Sequence, residues 1–570
     1  MTAAALPAGA PTMATRPDAQ SAVWPAAAIA LLLVAQAVMV HTRAINWDEF
    51  FYYDEVARFA DGHLARALQS IHVRIFSWLP ARFSDTIDAI IAGRTVMLGF
   101  EMVILGSIFA VARRFADTAG ALLCALSYLS AAYVLQHGFS FRADPAATAA
   151  LMASLALLIW MPLHGPRFWI MAAAGAALAA LAAMFTIKAI FYAPPFAGIA
   201  LLRWRGETRA GSALIRLALF AVMTLAAFAA FYALHASGVT GAAGDPSGGV
   251  AKANAASSHL LADGMNRMFF LGMPNNLGMI LKGWILTPGL TALAVATPFV
   301  LARKGRFTSP QRIALASLWL PVLTFAFYEN TASYFFVFML APLCVAATAA
   351  ITPLRDRVPV ALIAAALVAP SMAILADERA DVLANQRALI GEVHRIFPEP
   401  VAYFDHPGML AGFPKRNGFM TPWGMKGYVA NGVPAYAAAM EREPVPLLLT
   451  NWWLFGALDD PENDIFLPAD TAALRENYVH VTGAIFVAGR DIAAGDPPRV
   501  THFLVPGAYT VIGGPVEFDG RVRQAGEIVD VERGEYRLAP AGQTDARLIW
   551  GRHPDLPPRD RLEGALWTRF

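Results

Sequence analysis

The sequence predicts a polytopic α-helical membrane protein with a C-terminal domain outside the bilayer. Of its 570 residues, 57% are hydrophobic and 15% are charged, whereas soluble domains carry about 25% charged residues. Apolar runs of the length that spans a bilayer recur between residues 23 and 377. From residue 378 the chain becomes polar and contains alternating, strand-like runs. These three observations separate a membrane domain from an extramembrane one.

Charge and cysteine content exclude several classes of function. The formal net charge is +2, and such a balance offers no general basic excess for binding nucleic acid. We therefore predict no nucleic-acid partner. Cys124 and Cys344 both fall in apolar runs, which predict free buried thiols rather than a disulfide framework. The chain shows no cysteine spacing typical of zinc or iron–sulfur centres.

The membrane domain is predicted to cover residues 23–377 with about 11 transmembrane helices, because a spanning helix needs about 20 mainly apolar residues. Residues 1–22 are rich in Ala, Pro and Thr and predict a disordered cytoplasmic tail. The predicted spans lie at 23–41, 88–112, 117–135, 145–162, 168–186, 188–202, 212–234, 284–302, 311–328, 334–352 and 358–375.

Basic residues in the short loops predict the orientation. Five clusters fall on one side of the membrane if the N-terminus is cytoplasmic, as the positive-inside rule requires. The clusters are Arg113–Arg114, Arg167, Arg203 with Arg205 and Arg209, Arg303 with Lys304 and Arg306, and Arg355 with Arg357. An odd number of spans then places the C-terminus outside. We expect a multi-pass protein of the bacterial inner (plasma) membrane with a periplasmic C-terminal domain.

Three outer segments are long enough to carry function: the loops 42–87 and 235–283, and the tail from residue 378. The tail predicts a periplasmic α/β domain over 378–490, where a helical pattern precedes strand-like runs. Over 491–570, period-two alternation with Gly and Pro predicts a separate β-rich module. Three tryptophans of the α/β domain are predicted to pack in its core, with stacking on a sugar as the alternative. They are Trp423, Trp452 and Trp453.

Two adjacent carboxylates, Asp48 and Glu49, lie just outside the first span among aromatic side chains that include Trp47 and Tyr52. Partial desolvation makes a carboxylate a better base, and aromatic walls suit a sugar ring or isoprene units. The alternative is that Asp48 only caps the helix that follows it.

A second polar cluster occupies the outer turn before the fourth span, with His137, Arg142 and Asp144 close together in sequence. Arginine suits a phosphate group. The structural alternative is that Asp144 and Pro145 are the N-cap and first residue of the helix. Lys188, near the outer end of a span, predicts either a contact with an anionic group in a cavity or a snorkelling side chain.

Taken together, these motifs resemble the GT-C superfamily of membrane glycosyltransferases, in particular the bacterial protein mannosyltransferase and aminoarabinose transferase branch. The resemblance covers about residues 23–350 and rests on short motifs in a shared order. They are Asp48-Glu49, Arg94 entering the second span, Arg142-x-Asp144-Pro145, Lys188, and the aromatic run from Tyr334 to Pro342. Ser333 stands where the family commonly has an arginine before the tyrosine, which leaves one phosphate contact without a counterpart.

The resemblance implies a glycosyltransferase that uses a polyprenyl-phosphate sugar donor and inverts the anomeric carbon. Asp48 then resembles the general base, and Glu49 orients the acceptor or the base. Arg142, Lys188 and His137 bind the donor phosphate, and the other pocket residues are Asp144, Trp47, Tyr52 and Tyr334. The acceptor is a lipid such as lipopolysaccharide, a glycan or a protein of the cell envelope. No cofactor is required, although some relatives use a divalent metal, for which Asp48 and Asp144 are the candidate ligands.

The main alternative is a transporter or flippase of a lipid-linked sugar without transfer chemistry. Such a protein predicts repeated halves and charges near the midplane of the membrane, whereas this chain shows no repeat and its charges cluster at outer span ends. A polymerase or ligase of similar outline lacks the early Asp-Glu pair. An anchor or sensor does not need so many spans.

Overall fold

The computed structural model describes residues 16–64, 66–238, 258, 269–270, 272–274, 276–303, 305–460 and 465–568. Most of the predicted tail 1–22 and most of the predicted outer loop 235–283 lie outside these residues. The first helix already begins at Arg16, so the last residues of the predicted tail are helical.

The described helices up to Ala376 belong to the membrane domain, and the helices after it belong to the C-terminal domain. In chain order they are α1 (Arg16–Thr42), α2 (Trp47–Ala60), α3 (His72–Phe76), α4 (Trp78–Arg82), α5 (Thr86–Ala112), α6 (Thr118–Leu129), α7 (Ala132–His137), α8 (Ala143–Trp160), α9 (Arg167–Phe185), α10 (Ala193–Arg205), α11 (Ala210–Ala236), α12 (Leu277–Ile285), α13 (Pro288–Ala302), α14 (Ser309–Trp319), α15 (Phe335–Ala346), α16 (Thr348–Arg355), α17 (Val360–Ala376), α18 (Asp381–Ile396), α19 (Pro422–Asn431), α20 (Ala435–Arg442) and α21 (Pro468–Asn477). The 3-10 helices lie at Ile187–Tyr192, Leu320–Ala326 and Trp453–Asp459.

Five helices of the described chain are long and apolar enough to cross a membrane, namely α1, α5, α8, α9 and α11. The number rises to eight if each of three bent pairs, α12–α13, α15–α16 and α17–α18, counts as one span. The predicted count of about 11 is therefore not confirmed.

The other predicted spans, 117–135, 188–202 and 311–328, consist of shorter pieces. The first is divided between α6 and α7, and the others each join an α-helix to a 3-10 helix. Pro194 and Pro321 lie within two residues of those two junctions. Proline donates no backbone hydrogen bond and interrupts a regular helix. Hydropathy detects the apolar run but does not show that the helix inside it is broken.

Helix α15 lies at the centre of the membrane domain, and all of its residues are buried, as expected for a helix that is apolar on every side. Its Pro342 cannot donate to the carbonyl of Phe338, four residues earlier. The hydroxyl of Tyr192 donates to that carbonyl at 2.7 Å. This bond ties the 3-10 helix at Ile187–Tyr192, which carries Lys188, to the centre of the domain.

The C-terminal domain contains two β-sheets. The strands are β1 (Tyr403–Phe404), β2 (Leu447–Leu449), β3 (Tyr478–Thr482), β4 (Ile485–Ile492), β5 (Arg499–Phe503), β6 (Gly507–Gly513), β7 (Val516–Phe518), β8 (Arg521–Arg523), β9 (Ile528–Val531), β10 (Gly534–Pro540) and β11 (Ala546–Trp550). One sheet has the order β1-β2-β4-β11-β6-β9, with β3 also paired to β4, and the other has the order β5-β10-β7-β8.

The predicted boundary between an α/β domain at 378–490 and a β-rich module at 491–570 falls inside β4. This strand pairs with β2 on the N-terminal side of the boundary and with β11 near the C-terminus. The two predicted domains therefore share one continuous sheet. Alternation of apolar residues indicates that strands are present but does not identify their partners.

The C-terminal domain contacts the segment between α1 and α2 through Gln386 of α18. Its amide oxygen accepts from the backbone of Ile45 at 2.9 Å, and its amide nitrogen donates to the carbonyls of Ile45 and Leu566, both at 2.8 Å. Because Gln386 is fully buried, these bonds satisfy both ends of its amide. They hold the start of α2 against the extramembrane domain.

Candidate active site

Helix α2 is capped by Asn46. The Asn46 side chain accepts from the backbone of Asp48 at 2.9 Å, and the Glu49 carboxylate accepts from the backbone of Asn46 at 2.9 Å. Together they form a capping box. The alternative reading of Asp48 as the helix cap is therefore wrong, and its carboxylate is available for other contacts.

Glu49 forms a buried ion pair with Arg94 of α5. Two bonds of 2.7 and 2.6 Å join the guanidinium to the two carboxylate oxygens. Arg94 also donates to the carbonyls of Arg43 and Ala44, each at 2.8 Å. The backbone of Phe141 donates to Glu49 at 2.7 Å. Glu49 therefore links the end of α1, α2 and α5 to the residue that precedes Arg142.

Asp48 forms an ion pair with Arg142, whose side chain is 5% exposed. Arg142 adopts an extended backbone as the residue before α8, so its side chain points towards α2 instead of following the helix. The structure thus brings together two side chains that the sequence analysis placed in separate outer segments.

Asp144 and Lys188 form the second ion pair of the network. Asp144 lies in the first turn of α8, which begins at Ala143, so the predicted N-cap role for Asp144 is wrong. A guanidinium nitrogen of Arg142 lies 3.6 Å from the Asp144 carboxylate. The four groups therefore form a continuous chain of alternating charge, Asp48–Arg142–Asp144–Lys188, which we call the charge network.

Aromatic rings surround the cations of the charge network. The guanidinium carbon of Arg142 lies 3.4 Å from the ring centroid of Tyr334 and 5.8 Å from that of Tyr52. The hydroxyl of Tyr334 donates to Asn330 at 2.9 Å. Such cation–π contacts hold a guanidinium in a partly desolvated position. Tyr52 and Tyr334 thus lie beside Arg142 in the charge network.

One charged group of the network lines an apolar cavity. This cavity has a volume of about 530 Å³ and is formed mainly by apolar side chains of α8, α9, α10, α11 and the 3-10 helix at Ile187–Tyr192. Lys188 is the charged residue among its described lining residues, and Tyr328 also lines it. We call it the apolar cavity.

The rings of His137 and Trp47 have aromatic neighbours outside the charge network. The ring of His137 is 6.3 Å from that of Tyr133, and its electrostatic neighbours are Arg43 and Arg94. The ring of Trp47 contacts Trp452 and Trp567 of the C-terminal domain, at 4.8 and 5.9 Å between centroids. Their predicted part in the site stays a prediction.

A group of titratable side chains beside Tyr52 was missed. Glu55 forms an ion pair with Arg66 at 2.9 Å and lies 3.4 Å from His72, and the His72 ring is 4.9 Å from that of Tyr52. Burial lowers the pKa of His72 to about 3 and raises the pKa of Glu55. The spacing of Asp48, Tyr52 and Glu55 could have predicted this group. It is helical, so the three side chains share one face of α2.

The charge network does not fit a divalent metal. Within the described residues no group of three or more His, Cys, Asp or Glu side chains could hold an ion. The two candidate ligands, Asp48 and Asp144, instead face the cations Arg142 and Lys188. A metal ion at this position would meet two fixed positive charges.

Comparison with solved structures shows the fold. The ArnT of Cupriavidus metallidurans bound to undecaprenyl phosphate matches with a TM-score of 0.52 at 14% identity, over 82% of this chain and 98% of that chain. The oligosaccharyltransferase of Archaeoglobus fulgidus matches with a TM-score of 0.52 at 10% identity, over 95% of this chain and 98% of that chain. No protein-family model matches the chain, and no curated protein matches it in sequence.

Both solved structures are GT-C glycosyltransferases. The predicted resemblance to the GT-C superfamily is therefore confirmed at the level of the fold, with apolar helices followed by a C-terminal β-rich region. A shared fold does not by itself assign a reaction.

Proposed function

We propose that this protein of GT-C fold is a glycosyltransferase that moves a sugar from a polyprenyl-phosphate donor to an envelope lipid, glycan or protein acceptor. One observation carries the proposal: the charge network meets the apolar cavity at Lys188. A lipid phosphate has the same two parts, an isoprenoid chain and an anionic head. The arrangement therefore matches the donor along its length.

The apolar cavity suits the isoprenoid chain. Its volume of about 530 Å³ falls in the range of about 300–1,000 Å³ that small-molecule pockets occupy. Lipid-phosphate recognition is consistent with the similar fold of the ArnT structure, which contains bound undecaprenyl phosphate. With the chain in the cavity, the phosphate lies at Lys188 and the sugar extends towards Asp48.

Arg142 is suited to share the phosphate with Lys188. Its Nε is buried and has no hydrogen-bond partner among the described residues, although a buried donor normally has one. A phosphate oxygen would satisfy it. The phosphate would then compete with Asp48 for the guanidinium, so that donor binding would release the Asp48 carboxylate for catalysis.

Asp48 is proposed as the general base. It removes the proton from an acceptor hydroxyl while that oxygen forms a bond to the anomeric carbon from the side opposite the phosphate. The bond from the anomeric carbon to the phosphate oxygen breaks, and the phosphate keeps the electron pair. Because a phosphate leaves without being protonated, Arg142 and Lys188 need only stabilise its charge. The configuration of the sugar is inverted.

The proposal also includes location and the roles of neighbouring groups. The site lies on the periplasmic side of the inner membrane, with the N-terminus in the cytoplasm. Glu49 acts as a positioning residue, because it binds Arg94 and the backbone of Phe141. Asp144 holds the Lys188 side chain in position through their ion pair. His137 and Trp47 support the site from outside the charge network.

The test uses the purified full chain in lipid nanodiscs, with polyprenyl-phosphate sugars as donors and an envelope extract as acceptor. Wild type is expected to transfer sugar, and Asp48→Asn to lose at least a hundredfold in rate, the range for a missing general base. Asp61→Asn, at the other end of α2, is the control and is expected to be fully active.

Three results would contradict the proposal. Equal activity of Asp48→Asn and wild type would exclude Asp48 as the base. Absence of transfer from every donor would reject the glycosyltransferase. Movement of the donor across a sealed membrane without transfer would favour the flippase alternative.

A further inference from the structure

We propose that a second cavity, in the C-terminal domain, binds the carbohydrate part of the acceptor. This inference rests on the proposed glycosyltransferase function and specifies its acceptor. The cavity has a volume of about 720 Å³. Three of its lining residues are the tryptophans Trp452, Trp453 and Trp567, and we call it the tryptophan cleft.

Trp453 does not pack in the core. Its side chain is 69% exposed, so the predicted core role is wrong for this residue. The prediction for Trp423 concerns a side chain outside the described residues. Trp453 begins a short 3-10 helix at Trp453–Asp459, whose tight turn directs the ring into the cleft and not beneath the sheet. Together with Trp452 and Trp567 it forms an aromatic patch with polar neighbours, and such patches mark binding grooves.

Trp452 is fixed by its neighbours. Its ring stacks on His406 with centroids 4.3 Å apart and an angle of 3° between planes. The remaining ring surface lies between Trp47 and the cleft. A rigid aromatic surface binds a ligand at a low entropic cost, because few rotamers are lost.

The C-terminal segment forms the opposite wall and is held in place by several hydrogen bonds. The indole nitrogen of Trp567 donates to the carbonyl of Asn451. Asn385 donates to the carbonyl of Ala565 at 3.1 Å, and Gly564 has a φ of 126° that a residue with a side chain rarely adopts. The wall is therefore part of the folded domain and not a loosely attached tail.

The tryptophan cleft is connected to the charge network through Trp47. This residue directly precedes Asp48 in the chain, and its ring contacts both Trp452 and Trp567. A ligand held against Trp452 and Trp567 is therefore next to rings that contact the residue preceding the proposed base. The position suits an acceptor whose reacting hydroxyl extends from the cleft towards Asp48.

The lining of the cleft favours carbohydrate over other acceptor chemistry. A sugar ring presents an apolar C–H face, which packs on indole, and hydroxyl groups, which need polar partners at the edges. Polar partners are supplied by Asn385, Asp459, Arg475, Arg561 and Glu563. This mixture is unlike the apolar cavity, in which Lys188 is the charged residue of the described lining.

Two of the strands that border the cleft cannot accept an extended peptide as a further strand. Leu448 of β2 and Phe486 of β4 line it. β2 pairs with β1 and β4. Residues 485–487 of β4 pair with β2 on one side and with β3 on the other. Neither β2 nor β4 has a free edge to which an extended peptide could add as a further strand.

The first experiment measures binding of delipidated envelope oligosaccharides, including lipopolysaccharide core, to the full chain in nanodiscs. Wild type is expected to bind at least one of them, and Trp453→Ala to weaken that binding roughly tenfold, as expected for one lost aromatic contact. Trp453→Phe retains an aromatic face and is expected to lie within about threefold of wild type. Trp169→Ala, on α9, removes an indole that is 51% exposed and serves as the matched control.

A second experiment separates this inference from the proposed function. Trp453→Ala is expected to raise the acceptor KM about tenfold, with kcat at saturating acceptor and binding of undecaprenyl phosphate unchanged. An unchanged acceptor KM, with transfer that still depends on Asp48, would overturn the cleft and keep the glycosyltransferase. Oligosaccharide binding by a protein that transfers no sugar would overturn the glycosyltransferase and keep the cleft as a carbohydrate site. Binding of peptides but of no oligosaccharide would overturn the cleft assignment.

Discussion

The guanidinium of Arg142 forms an ion pair with the carboxylate of Asp48, although the two residues are 94 positions apart in the chain. The pair is mostly buried, with exposures of 5% for Arg142 and 13% for Asp48. Separating such a pair leaves an uncompensated charge, so the release of Asp48 is favoured when another anion takes its place. In the proposed function that anion is the donor phosphate, and its arrival prepares the base.

Replacement of Arg142 is expected to weaken donor binding more than acceptor binding. Arg142→Gln loses the charge, and Arg142→Lys keeps the charge but loses the planar fork that can contact Asp48 and a phosphate together. We expect at least a tenfold rise in the dissociation constant of undecaprenyl phosphate for the first variant, since a charged hydrogen bond contributes about 1.5–3 kcal/mol. Arg142→Lys should retain binding better than turnover.

The matched control is Arg82→Gln, which alters an exposed arginine at the end of α4. Titration of undecaprenyl phosphate into each variant, followed by calorimetry, provides the comparison. Wild-type affinity in Arg142→Gln would show that the arginine serves the structure of the turn and not the phosphate.

Glu49 is expected to affect folding stability more than chemistry. Both oxygens of its carboxylate accept hydrogen bonds, from Arg94 and from two backbone N–H groups. Glu49→Gln leaves the guanidinium of Arg94 without its counter-charge, and breaking such a buried pair costs about 3–5 kcal/mol. The double variant Glu49→Gln with Arg94→Met should recover part of that loss.

Thermal unfolding in detergent of the single variants and the double variant measures this coupling. Asp61→Asn, at the C-terminal end of the same helix, is expected to unfold like wild type. If Glu49→Gln is as stable as wild type but inactive, the positioning role is wrong and a direct role of Glu49 in catalysis is supported.

The charge network shows what a single sequence can predict about the site. Asp48, Arg142, Asp144 and Lys188 were selected because their charges border apolar spans on one side of the membrane, and the fold places them in contact. Their chemical roles remain predictions. His137 was grouped with Arg142 because they are close in sequence; α7 ends at His137, whose ring lies 6.3 Å from that of Tyr133, and its part in the site stays a prediction.

The cap of α2, the exposure of Trp453 and the partners of β4 could not be predicted from local sequence patterns. Asn46, and not Asp48, caps α2 because the residue before the helix must adopt an extended backbone, and the sequence did not fix which residue that was. Trp453 was assigned to a core, although a 3-10 turn exposes it. The boundary at residue 490 failed because the partners of β4 are far apart in the chain.

The stability of the contact between α2 and the C-terminal domain is expected to depend on pH through Asp54. Burial raises the pKa of Asp54 to about 6, although Arg58 and Lys415 oppose that shift and Asp405 and Glu55 add to it. The folded protein holds the Asp54 proton more tightly than the unfolded chain does. The stabilisation that protonated Asp54 gives the folded protein is therefore largest below the ordinary Asp pKa of about 4. It is lost as the pH rises through about 6.

Asp54→Asn is expected to remove that pH dependence and to leave stability flatter between about pH 4 and pH 6. Thermal unfolding of both proteins across this range tests it, with Asp88→Asn, which pairs on the surface with Arg387, as the control. A wild-type stability that rises with pH over the same interval would show that Asp54 is charged in the folded protein and that its pairing with Arg58 dominates.

Transfer is expected to proceed without a divalent metal, because both candidate ligands are paired with cations. Activity after extensive treatment with EDTA should equal that of untreated protein, and added Mg²⁺ or Mn²⁺ should not raise it. Loss of activity with EDTA that a metal restores would contradict the assignment. It would require Asp48 or Asp144 to exchange its arginine or lysine partner for the ion.

Filling the apolar cavity is expected to discriminate between donors by chain length. Ala183 lines the cavity on α9, and Ala183→Phe would occupy part of its volume of about 530 Å³. The filled cavity would no longer bind a long polyprenyl chain, whereas a donor with one or two isoprene units needs only the charge network for binding. We expect the KM for an undecaprenyl donor to rise at least tenfold, since overpacking costs about 1–3 kcal/mol, and the KM for the short donor to change little.

Ala174→Phe adds the same ring to an exposed position of α9 and is expected to behave as wild type. If Ala183→Phe raises both KM values equally, the cavity does not hold the lipid chain and the isoprenoid must lie along another surface.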